Sequence, residues 1–151
     1  MNDIVQMNPR LDFFRAHIGE NLSKSISPFG RWLCGTLRSV EYGHMSVEFQ
    51  IRSDMTNPGG VLHGGVAAAI MDDVSGMMVY ALGREFAYTS VNLTCDFLNP
   101  AREGDVLLAN ARVVRAGKNI VHCECEIVTA DGKIIAKSST NLIQTGLRLT
   151  E

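Results

Sequence analysis

The sequence predicts an α+β domain, in which a six-stranded antiparallel sheet wraps around one long central helix and a further helix stands at the N-terminus. Three observations predict it. Residues 64–82 are apolar almost all the way round a helix of about 18 residues, and a helix without a polar face is normally covered on several sides. Six other segments read as strands, several of them alternating apolar and polar residues as half-buried strands do. Their short links imply antiparallel pairing, and the order (two strands, the helix, four strands) lacks the regular alternation of a parallel α/β fold. One sheet curled around the helix satisfies all three, with part of the helix surface left for a partner subunit.

From the N-terminus, residues 1–8 read as a flexible tail and 9–151 as a single domain. Asn8 and Pro9 supply a cap and a first-turn proline, and Leu11, Phe14, Ile18 and Leu22 recur at helical spacing to about residue 22. Residues 23–31 read as a loop. Strands follow at 32–41 and 44–51, the second with Met45, Val47, Phe49 and Ile51 on one face. After the central helix, the strand at 87–98 places Val91, Leu93, Cys95 and Phe97 on one face and Ser90, Asn92, Thr94 and Asp96 on the other. Strands at 105–115, 119–129 and 133–144 complete the set, the last two joined through Asp131-Gly132, a hairpin signal.

Composition narrows the function classes. Of 151 residues 46% are hydrophobic and 20% charged, as in ordinary globular proteins, and a net charge of −2 argues against nucleic acid or an anionic membrane as partner. The N-terminus lacks a basic start followed by an apolar run, and no 18-residue apolar stretch spans a membrane, since the two aspartates interrupt the nearest candidate. A reducing cytoplasm is expected. Cys123 and Cys125 alternate with Val121 and Ile127 as free core thiols, and the spacing of the four cysteines (with Cys34 and Cys95) does not suit zinc. No metal is expected.

The chemistry concentrates at Asn57-Pro-Gly-Gly-Val-Leu-His63-Gly64-Gly65 and in the helix that follows. The first amides of a helix lack intrahelical partners and carry the positive end of its dipole. Gly64 and Gly65 leave them open to a ligand oxygen, which makes an oxyanion site; the same glycines also suit a tight loop against the sheet. Asp72 and Asp73 are costly in an apolar helix unless a ligand cleft or a partner compensates them. Asp72 has only small residues three and four positions away (Ala68, Ala69, Ser75, Gly76), so substrate has room there. It lies roughly 12 Å along the helix from Gly64. If both serve one reaction, they come from two copies of the chain, with two helices antiparallel in a symmetric dimer.

The run Asn57-x5-His63-Gly64-Gly65-x6-Asp72 resembles the hotdog-fold acyl-CoA thioesterases of the PaaI-like branch of the 4-hydroxybenzoyl-CoA thioesterase superfamily. The likeness covers roughly residues 35–145, including Ser90-Val-Asn and Gly132-Lys-Ile-Ile-Ala-Lys. It implies that the Gly64 N–H polarises the thioester carbonyl. Asp72 of the neighbouring subunit would act as general base on water or as nucleophile. Asn57 would hold the thioester or the water, Ser90 would position the water or the carboxylate, and His63 would hold the loop. Gly65, Ser75 and Gly76 complete the substrate contacts. The family forms dimers, often paired into tetramers, with no cofactor beyond the CoA thioester substrate. Met77, Met78, Tyr80 and the N-terminal helix are candidates for the acyl pocket, and Arg84, Arg115 and Lys118 for the CoA tail. A non-catalytic acyl-CoA-binding module and a hotdog dehydratase or hydratase are the alternatives.

Overall fold

The computed structural model describes residues 7–150; most of the tail expected at 1–8 lies outside them. Helix α1 (Pro9–Ala16) begins as its cap signal predicts: Asn8 Oδ1 accepts the Leu11 N–H at 3.1 Å. It ends well before residue 22. Gly19 turns the chain at φ 92°, and the backbone amides of Gly19 and Leu22 donate to the carbonyls of Leu37 and Gly35 instead of continuing a helix. Ile18 is left exposed, and Leu22 reaches the core from outside the helix.

A second correction follows. Residues 28–33, expected as loop and strand, form helix α2 (Pro28–Leu33), capped by Ser27 Oγ accepting the Gly30 N–H at 3.0 Å. Cys34 ends it in the left-handed conformation. Strand β1 (Thr36–Glu41) therefore starts later than residue 32. Gly35 lies between them, pressed against the sheet: a Cβ there would stand 2.5 Å from Val47 and 2.6 Å from Phe49.

The remaining elements are β2 (His44–Gln50), a 3-10 turn (Ser53–Met55), α3 (Gly64–Tyr80), β3 (Phe86–Phe97), β4 (Val106–Ala116), β5 (Ile120–Val128) and β6 (Ile134–Arg148). The strands form one antiparallel sheet, as the sequence pattern predicts, in the order β1-β2-β4-β5-β6-β3, with β6 running past residue 144. Helix α3 packs across the inner face of β2 to β6. Its Ile70, Met71, Val74 and Met78 meet a sheet face built from residues such as Met45, Val47, Leu107, Ala109 and Ile127, all almost completely buried. Cys123 and Cys125 are buried free thiols in this core, whereas Cys34 and Cys95 are half-buried. None of the described helices is long and apolar enough to cross a membrane.

Strand β3 departs from the predicted alternation. Its pairing with β6 slips between Ser90 and Asn92, so that Ser90 stands opposite buried Leu142 and Asn92 opposite Asn141. Val91 is the extra residue. One inserted residue reverses the facing of everything before it. Ser90 thus joins Leu93, Cys95 and Phe97 on the helix side instead of sharing the outer face with Asn92. β3 is also an edge strand, paired on one side only.

Gly35→Ala tests the packing at α2. Both neighbours are buried side chains that must move, so the variant is expected to lose about 1–3 kcal/mol, read from its urea midpoint.

Candidate active site

The N-terminus of α3 has four backbone amides without intrahelical carbonyl partners. His63 is its cap (φ −61°, ψ 131°). The His63 N–H donates to the Met55 carbonyl at 2.9 Å, the Gly65 N–H to His63 Nδ1 at 2.9 Å, and the Val66 N–H to the His63 carbonyl at 2.9 Å. Only the Gly64 N–H has no acceptor among the described residues. His63 thus holds the loop with a ring nitrogen that carries no proton, and the Gly65 amide is taken by that ring rather than left to a substrate.

The loop before it is closed on itself. Asn57 Oδ1 accepts from Gly59 at 3.0 Å and from Val61 at 3.2 Å, and the Asn57 N–H donates to the Val61 carbonyl at 2.8 Å. Its Nδ2 has no acceptor among the described residues. The Leu62 N–H donates to the Ala101 carbonyl at 2.7 Å, which ties the loop to the segment after β3. Beside Gly64 lies a cavity of about 430 Å³, walled by apolar residues including Val61, Leu62, Ala67, Leu98 and Ile135. The Phe97 ring forms its near wall, 3.5 Å from where a Gly64 side chain would begin. Phe97 was legible in the sequence only as an apolar strand residue. A larger cavity of about 720 Å³, on the outer face of the sheet among Arg112, Glu124 and Lys137, holds neither Gly64 nor Asp72.

Asp72 is half-buried in the middle of α3, and Ser90 Oγ donates to its Oδ1 at 2.9 Å. The helix is open next to it: a side chain at Gly76 would meet nothing within 4 Å. Ser75, which the resemblance implies as a substrate contact, is 1% exposed, and its hydroxyl has no hydrogen-bond partner among the described residues. Met78 is likewise pure core, and Tyr80 carries the Arg10 guanidinium 4.8 Å above its ring. Met77 is half-buried. Of the basic residues considered for the CoA tail, Arg84 is committed to the carbonyls of Ala116 and Gly117, while Arg115 and Lys118 are exposed. Cys95 lies near Asp72, but burial and the Asp72 charge push its thiol up, away from the thiolate a nucleophile needs.

Asp73 points elsewhere, under α2, with its Oδ2 3.2 Å from where a Gly30 side chain would begin. Burial, then the charge of Asp72, push its carboxyl up to about 6, against the Ser27 hydroxyl, which pulls it down.

Residues 59–136 match the family model described as the thioesterase superfamily. The chain belongs to that superfamily. Human acyl-coenzyme A thioesterase 13 is 30% identical over 103 residues, 68% of this chain and 74% of that protein. The Escherichia coli PaaI protein from the phenylacetic acid degradation operon superposes with a TM-score of 0.81 at 21% identity, covering 96% of this chain and all of its own (100%). A hypothetical thioesterase from Streptococcus pneumoniae, solved with coenzyme A, gives a TM-score of 0.71 at 23% identity over 76% of this chain and 88% of its own. The fold is the hotdog fold of that superfamily, and this thioesterase-superfamily protein is a thioester hydrolase.

Asp73→Asn separates the neighbouring carboxylates. A folded-state pKa raised to about 6 favours the protonated folded form, so this group's stabilisation is complete below the ordinary value of 3.8 and is lost as pH rises through about 6. Urea midpoints at pH 4 and pH 7 are expected to show that the variant lacks this share of the decline.

Proposed function

We propose that the protein hydrolyses acyl- or aryl-CoA thioesters to the free acid and CoA, at sites shared between two copies of the chain. The observation that carries the reading is the Gly64 amide, an unpaired donor at a helix N-terminus opening on an apolar cavity. A donor placed there strengthens its bond as the carbonyl oxygen gains charge, worth roughly 3 kcal/mol in a transition state. The acidic group comes from the second copy. Asp72 is roughly 12 Å along the helix from its own Gly64. Its open flank, Ala68 and Gly76, borders the free edge of β3, and a second copy placed there in two-fold symmetry brings each Asp72 to the other's Gly64.

The scheme uses water and this chain's own groups, without metal or cofactor. Asp72 either takes a proton from water as the oxygen attacks the thioester carbon, or attacks that carbon itself and is released by water. In both cases the C–S bond breaks and the CoA thiolate leaves to take a proton. Ser90 fixes one carboxylate oxygen and leaves the other for this task. Asn57 Nδ2 is free to hold the ester or the water. Single turnovers in ¹⁸O-water divide the two routes, since only the nucleophilic one puts label into Asp72. CoA as the carrier is supported by the human relative's name and by the coenzyme A in the streptococcal structure. A dimer of dimers is the assembly proposed. A hydratase would need an imidazole against the carboxylate, and the His63 ring is bonded to Gly65 instead.

A thiol-release assay over a panel of acyl-CoAs tests the reading. Asp72→Asn is expected to lose at least about 10²-fold in turnover with binding kept. CoA esters bound but uncleaved by the wild type would make the protein a binding module.

Gly64→Pro keeps the helix start, because proline suits the first helical position and His63 already has the backbone a residue before proline needs, while it removes the oxyanion donor and places a ring in the gap beside Phe97. Its turnover is expected to fall about 10²- to 10³-fold. Refolded together in equal amounts, the two inactive variants form mixed dimers with one intact site, and about a quarter of wild-type activity returns. No recovery would place both groups in one chain.

A further inference from the structure

Ser90 reaches Asp72 only because β3 carries one extra residue. Without the insertion at Val91, alternation would turn Ser90 to the outer face beside Asn92, Thr94 and Asp96. Bulges of this kind re-aim side chains, but they leave backbone groups of the ladder unpaired, and these need partners. Here side chains supply them. Asn92 Oδ1 accepts the Asn141 backbone N–H at 2.8 Å and Asn141 Nδ2 at 3.2 Å. Thr140 Oγ1 donates to the Asn92 carbonyl at 2.7 Å. With its Nδ2 so engaged, Asn141 turns its Oδ1 to His122 Nδ1, 2.8 Å away, which donates to it. One chain of side chains thus crosses from β5 through β6 to the bulge on β3. Asn92, Asn141 and His122 all stand on the outer face of the sheet, opposite the helix.

We propose that Asn92, held by Asn141 and His122, is a positioning residue that clamps this bulge and so keeps Ser90 aimed at Asp72. The proposal rests on the reading that Asp72 and Ser90 serve thioester hydrolysis. Asn92 touches neither; it acts by fixing which way Ser90 faces.

The test compares Asn92→Ala, Asn92→Asp, Ser90→Ala and the Ser90→Ala/Asn92→Ala pair in steady-state thioester cleavage, with a crystal structure of Asn92→Ala. Asn92→Ala is expected to lower kcat about 10-fold with KM within about twofold. The double variant is expected to be no slower than Ser90→Ala alone, because both changes remove the same contact. Asn92→Asp keeps the acceptor oxygen and restores kcat to within about threefold. Thr94→Ala, on the same strand and face but outside the network, keeps wild-type kcat and controls for general loosening of β3. In the Asn92→Ala crystal, Ser90 Oγ is expected beyond hydrogen-bonding distance of Asp72. Full kcat in Asn92→Ala, additive losses in the double variant, or Ser90 still bonded to Asp72 in the crystal would each overturn the clamp. Absence of thioester cleavage by the wild type would instead remove the proposed function, and the crystal readout would still decide the clamp.

Discussion

Helix α3 carries apolar residues around more of its circumference than one curled sheet can reach. The sheet takes Ile70, Met71, Val74 and Met78. Helix α2 closes over the Asp73 side through Gly30, and α1 meets the C-terminal end, where Phe14 packs edge-on to Tyr80. The strip left over is Ala68, Asp72 and Gly76, beside the edge strand β3. The placement of the site follows from that remainder. A carboxylate is tolerated on α3 because it lies on the uncovered strip, and β3 keeps a free edge because nothing in the described chain crosses it.

The same economy acts at the start of α3. Four amides there need acceptors, and the chain supplies three from its own groups: the Met55 carbonyl, the His63 ring and the His63 carbonyl. The fourth, on Gly64, borders an apolar wall, and it is the donor proposed to hold an oxyanion. A glycine is needed at this position less for conformational freedom than for access. The Phe97 ring already stands at contact distance, and a side chain on residue 64 would occupy the gap through which the proposed substrate enters.

Much of this was legible in the sequence. The sequence pattern located the central helix and the strands after it, because long segments with one buried face keep a clear period, whereas the first strand was started too early. Helix α2 was missed although Ser27-Pro28 repeats the Asn8-Pro9 signal, since a turn and a half of helix is too short to show an apolar face. Helix α1 was overrun because Ile18 and Leu22 keep helical spacing while the backbone around them pairs with β1. The bulge at Val91 left no trace, because the apolar alternation looks regular on both sides of it. Ser90 was therefore named from family likeness but placed on the wrong face. Ser75 and Met78 lie on the buried side, which the sequence does not distinguish: a helix apolar all round gives no phase by which to tell its buried side from its open one.

Asp72 and Asp73 show what that missing phase decides. They are adjacent in sequence and about 100° apart around one helix. That angle carries Asp72 to the open strip, where Ser90 donates to it, and carries Asp73 beneath α2, where burial raises its cost of ionisation. Residue identity does not separate the two; the small neighbours of Asp72 and the element lying over Asp73 do. In the proposed reaction a carboxylate under a packed helix has no path to the ester, so the choice of Asp72 over Asp73 depends on α2, an element of only six residues. The position of that short helix decides which of two identical groups stays open and which is covered.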